Sequence, residues 1–174
     1  MKKMMALLLV MTVALTMAAC GCKKQNTAVL AGTMEENINK IMQANPTEFS
    51  GFVTAVDLND TSEDGKWALK NFTGLDSADK ITDAAVYEPM TGSQAFSLVL
   101  VRVADAADAK AVAQQMKDNI NPAKWICVSA DQVMAAGYGD TVLFIMLDSN
   151  MGKTAQSYVD AFKNVCGGEP DFTI

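Results

Sequence analysis

The chain has 174 residues, with 20 acidic against 14 basic side chains, a net charge of −6 and no histidine. An acidic balance argues against nucleic acid and against adhesion to anionic lipid. The missing imidazole excludes histidine-ligated zinc and every histidine-based triad.

The N-terminus opens with Lys2 and Lys3, followed by an apolar run from Met4 to Ala19 that stops at Cys20. This is the tripartite pattern of an export signal over residues 1–19, short of the ~20 residues of a comfortable membrane span. Met17-Ala18-Ala19-Cys20 resembles the bacterial lipobox, in which cysteine becomes the lipidated first residue of the mature protein; Met17 stands where leucine is usual. Lipid attachment at Cys20 predicts tethering to the outer face of the bacterial cytoplasmic membrane, since each buried methylene contributes ~0.8 kcal/mol. Secretion after cleavage behind Ala19 is the alternative. Residues 20–32 carry the anchor and then read as a flexible stalk, without sustained periodicity and with Lys23 and Lys24 facing lipid phosphates.

A single α+β domain is expected over 33–168, with a C-terminal tail at 169–174. Thr33 and Glu36 form a capping box ahead of Ile38, Ile41 and Met42, and Asn45-Pro46 ends that helix. Residues 49–56 are an ambiguous extended segment, 57–65 an acidic loop, and Trp67 to Gly74 a short second helix. Residues 81–89 and 95–103 read as strands about a Thr91-Gly92-Ser93 turn, and a helix follows over 105–120 with Ala109, Val112, Ala113, Met116 and Ile120 on one face. The scheme repeats with a weak strand near 126–136, a turn at 137–140, a strong strand over 141–147 and a helix from about 151 to 166. The second strand of each unit is apolar on both faces and suits the centre of a sheet. The expectation is two β-β-α units forming a four-stranded antiparallel sheet of order 1-2-4-3. Helices 105–120 and 151–166 would cover one face and the N-terminal helices the other.

The lipobox, the short helix ending on Gly74-Leu75-Asp76, the strand pair over 81–103, the helix after Val103-Ala104-Asp105 and the ending Gly139-Asp140-Thr141-Val142-Leu143-Phe144 carry a likeness. Over roughly residues 57–166 the chain resembles a family of small Gram-positive lipoproteins known only as a domain of unknown function. The resemblance implies fold and location, and it carries no activity.

Four sites invite a chemical reading. Cys127 and Cys166 are an even pair outside the cytoplasm, and a bridge would stabilise by ~3–4 kcal/mol if geometry allows; the other readings are two buried thiols and, last, a catalytic thiolate, which no histidine could activate. Residues 147–154 end in Gly152-Lys153-Thr154 after a strand, as a phosphate-binding loop does, but Leu147 stands in place of the first glycine. Asp57, Asn59 and Thr61 alternate as calcium ligands would, while Ser62 and Ala68 occupy the positions of the required glycine and glutamate. The aspartates Asp105, Asp108, Asp140 and Asp148 fall at turns and helix starts, where capping accounts for them. Arg102 is the only arginine and sits in an apolar strand end, so its guanidinium needs a paired acid, an exit to solvent, or an anionic ligand. It is the candidate anchor for a small carboxylate ligand.

These readings combine into a non-enzymatic, membrane-anchored lipoprotein, without catalytic residues, metal site or cofactor, that binds a small ligand or an envelope protein. A structural subunit exposing an apolar patch near Trp67, Phe72 or the tail 170–174 is the second reading, and an enzyme without histidine chemistry the third.

Overall fold

A computed structural model describes residues 29–174 of the chain. The expected export signal over 1–19, the expected lipid attachment at Cys20 and the part of the expected stalk up to residue 28 lie outside the described residues.

The capping box at Thr33 and Glu36 starts helix α1, Met34–Ala44, whose Met34, Ile38 and Ile41 are fully buried at i, i+4, i+7 spacing. Strand β1, Gly51–Ala55, follows, then helix α2, Glu63–Thr73, capped by Ser62 and closed by Gly74 in the left-handed region at φ 75°. Strands β2, Ile81–Pro89, and β3, Phe96–Val103, form a hairpin. Asp105 caps a 3-10 turn leading into helix α3, Ala109–Asn119. Strands β4, Gln132–Tyr138, and β5, Thr141–Leu147, form a second hairpin about Gly139, at φ 57°. A 3-10 turn over 149–151, helix α4, Ala155–Cys166, and the two-residue strand β6, Phe172–Thr173, complete the domain.

The six strands form one antiparallel sheet of order β1-β2-β3-β5-β4-β6. This corrects the four-stranded expectation. The segment 49–56 is a true edge strand, and the tail 169–174 supplies a second one. β1 is exposed at Phe52, Thr54 and Ala55, so it lacks the apolar run by which strands are read, and β6 is too short to have a period.

The distribution of helices is corrected as well. Val99, Val101, Val142 and Phe144 share one core layer with Leu69 of α2 and Val112 and Met116 of α3. Leu98, Leu100, Leu143 and Ile145 share the other with Ile38 of α1 and Tyr158 and Phe162 of α4. Helices 105–120 and 151–166 thus lie on opposite faces. Topology supplies the reason: β3 reaches β4 past β5, and β5 reaches β6 past β4, both moving toward the same edge. The two crossovers leave strands that run in opposite directions, so crossovers of one hand must pass over opposite faces.

Candidate functional site

The strands define two ends of the molecule. Arg102 pairs in register with Thr141 at one end, and Phe96 with Leu147 at the other, a separation of roughly 20 Å at ~3.3 Å per residue.

The first end receives the N-terminal segment. Arg102 Nη2 donates to Leu30 O at 2.5 Å and Gly32 O at 2.9 Å; its Nε lies 3.4 Å from Asp140 Oδ2, and its Nη1 3.9 Å from Asp83 Oδ2. Nε is off the line of a hydrogen bond, so the contact with Asp140 is electrostatic. Asp83 also accepts the Met34 N–H at 2.9 Å, one of the orphan donors of α1. A register shift in β2 between Ile81 and Asp83 accompanies this arrangement. The arginine singled out in the sequence is therefore a clamp between sheet and N-terminal segment, with its donors turned to groups of the same chain.

The opposite end carries two grooves. One, of about 620 Å³, lies between the loop 121–131 and the end of β5, with Trp125, Cys127, Val128, Asp131, Asp148 and Asn150 among its walls. The other, of about 340 Å³, shares Asp148 and is bounded by Glu48, Phe49, Gln94 and Met151. Asp131 accepts both the N–H and the hydroxyl of Ser149, at 2.7 and 2.5 Å. The hydroxyl and then the amide hold its carboxyl below the usual range. Asp148 accepts the Asn150 N–H at 2.9 Å and closes the 3-10 turn. Asp131 and Asp148 thus place two carboxylates along the wall of the groove.

Behind the first groove lies a cluster that the sequence does not announce. Lys124, only 5% exposed, puts Nζ 2.5 Å from Glu88 Oε1, 3.0 Å from Asn71 O and 3.4 Å from Ser97 Oγ. Its ammonium also lies 5.4 Å from the ring centres of Phe72 and Trp125. Loss of water pushes its pKa down and the Glu88 carboxylate partly restores it. The lysine pins the loop 121–131 to the sheet and sets Trp125 as the rear wall. A lysine before a lone tryptophan in a loop reads as solvated, and only β2, β3 and α2 converging on it make it a buried ion.

The remaining candidates fall apart in space. Cys127 and Cys166 are free thiols. Cys127 is exposed, in a loop whose Trp125 and Ala130 pack on one core layer; Cys166 is half-buried against the other. The sheet stands between them, so the bridge weighed from sequence is not formed, and the reading of two buried thiols fails at Cys127. Burial pushes the Cys166 thiol up to about 12. Cys127 adopts φ 61°, a left-handed conformation that costs a side-chain-bearing residue ~1–2 kcal/mol.

Residues 147–154 form no phosphate cradle: Gly152 turns the chain at φ 77°, Thr154 caps α4, and Lys153 Nζ donates to Asn45 Oδ1 at the end of α1. In the acidic loop, Asp57 and Asp60 each accept a backbone N–H two residues on, at 2.9 Å, as turn formers do. No group of carboxylates or thiols suited to a metal occurs among the described residues. Trp67 is 65% exposed, whereas Phe72, Phe172 and Ile174 pack against the core. No protein-family model, curated protein or solved structure matches the chain.

Proposed function

We propose that this protein is an exported lipoprotein, acylated on Cys20, whose domain is a non-catalytic binding module on the outer face of the cytoplasmic membrane. The observation that carries the reading is the polarity of the domain. The chain enters at Leu30–Gly32 under the Arg102 clamp, and two grooves that share Asp148 open at the other end of the same strands, roughly 20 Å away. Eight residues separate Cys20 from Val29, so a lipid on that cysteine tethers the domain through the chain that enters at its Arg102 end and favours, without fixing, the grooves facing the exterior.

The chemistry of the first groove supports binding rather than turnover. Trp125 and Val128 offer an apolar floor, and Asp131 and Asp148 an acidic rim. The Ser149 hydroxyl is spent on Asp131, and among the described residues no buried base stands beside it to take its proton. An acidic rim favours a ligand with donors or positive charge, so the carboxylate ligand suggested by Arg102 is not carried forward.

Intact mass spectrometry of the full-length protein extracted from its host membrane tests the anchoring. A chain beginning at Cys20 with a diacylglycerol-sized addition is expected, and Cys20→Ala should abolish that mass. A lipid-free chain in the culture medium would overturn the reading.

A further inference from the structure

The open edge of β1 offers a site of a different kind, independent of how the protein is anchored. β1 pairs with β2 on one side and has no strand on the other among the described residues. The Val56 N–H donates to Ala84 O and the Met90 N–H to Ser50 O. By the alternation of an antiparallel ladder, Ser50, Phe52, Thr54 and Val56 then bond to β2, while Gly51, Val53 and Ala55 turn their N–H and C=O groups outward.

Edges are ordinarily guarded by lysine, proline, a bulge or brevity. β6, the opposite edge, is two residues long and is guarded in that way. β1 is a five-residue Gly-Phe-Val-Thr-Ala strand without charge or proline. Phe52 on it is 55% exposed, and Met90, 69% exposed, lies two residues beyond Glu88, the register partner of Phe52. A strand laid along β1 would therefore find both backbone partners and an apolar side-chain contact.

The charges at its two ends select the occupant. Glu48 precedes β1, and Asp57 and Asp60 follow it. A second copy paired antiparallel about Val53 would bring Glu48 of one chain against the Asp57 neighbourhood of the other, like against like. A segment with basic ends meets a carboxylate at each end instead. We propose that β1 takes up an extended segment of a partner protein, alternating and β-branched in its middle and basic at its ends, as a seventh strand of the sheet.

The probe is a fluorescent synthetic peptide of alternating valine and threonine with two lysines at each end, added to the full-length protein in non-ionic detergent. Anisotropy should show saturable binding. Amide exchange should slow about tenfold or more at Gly51, Val53 and Ala55, with Phe52 and Thr54 unchanged. Ala55→Pro removes one outward N–H without touching the β1–β2 ladder and should weaken binding about tenfold; a peptide with glutamate ends should bind as weakly. Unaltered binding by an Ala55→Pro protein that melts like the wild type would overturn the proposal. So would protection confined to other amides, or protection of these three without peptide in a protein of doubled mass, which would mark a second copy as occupant. Should Ala55→Pro fail to fold, the exchange pattern of the wild type decides.

Discussion

Arg102 gathers Leu30, Gly32, Asp83 and Asp140 at one point, so its removal strips two carbonyls of their donor and leaves two carboxylates without a counter-charge. Arg102→Gln should destabilise by about 2–3 kcal/mol in denaturant unfolding, and the chain near residues 29–33 should become the first site of limited proteolysis. Arg102→Lys should restore little, because one ammonium cannot span the carbonyls and the acids. The two thiols separate by environment in the same way. Iodoacetamide on the native protein should label Cys127 well before Cys166, and peptide mapping should show both labelled at once after unfolding. Equal native rates would contradict the burial of Cys166. Cys127→Gly should gain about 0.5–1 kcal/mol by relieving the left-handed backbone, less the added freedom of the unfolded loop. Arg102 was legible as a residue in need of partners because a lone guanidinium in an apolar strand demands them. Which partners it finds was not, since Leu30 and Asp140 are distant in sequence.

At the scale of elements, Lys124 in the loop 121–131 and Gly137 opposite strand β6 are the two positions whose alteration tests how each segment is held. Lys124→Met leaves the half-buried Glu88 beside no cation and should cost about 2–3 kcal/mol, whereas Lys124→Met with Glu88→Leu should recover most of it. A double-mutant cycle from urea unfolding measures the difference. The pH dependence has a definite sign. Burial lowers the folded-state pKa of Lys124 below its ordinary 10.5, so between those two values the unfolded chain binds more protons. The Lys124 contribution to stability should therefore rise with pH through that window, and Lys124→Met should flatten this part of the profile. β6 rests on a glycine: a Cβ at Gly137 would lie 2.2 Å from Phe172 Cε1, and Phe172 pairs with Gly137 in register. Gly137→Ala should expel the ring and cost about 2 kcal/mol by thermal unfolding, with exchange accelerated at Ile174, whose N–H donates to Ala135 O at 2.8 Å. The hairpins and helices were readable from their periods and caps, as Thr33, Asp105 and Gly74 illustrate. β1 and β6 were not, because a half-exposed edge and a two-residue strand carry no hydrophobic period.

For the whole molecule, the two-layer core and the two ends of the sheet matter together. The double-sided apolar strands β3 and β5 require cover on both faces, which α2 with α3 and α1 with α4 supply. If Cys20 is acylated, a quencher on lipid headgroups should reach a fluorophore placed near residue 32 far more than one at exposed Ile126, beside the distal turn at Gly92. Equal quenching would remove the orientation from the proposed function. By itself the amino-acid sequence determined the capping box of α1, the glycine that ends α2, the two hairpins and the burial of their second strands, because these depend on local chemistry and on periods of two and 3.6. The tertiary structure alone decided the face each helix covers, the edge strands, the partners of Arg102, the burial of Lys124 and the separation of Cys127 from Cys166. Each of these depends on crossover hand and on residues brought together from across the chain, which no local pattern encodes.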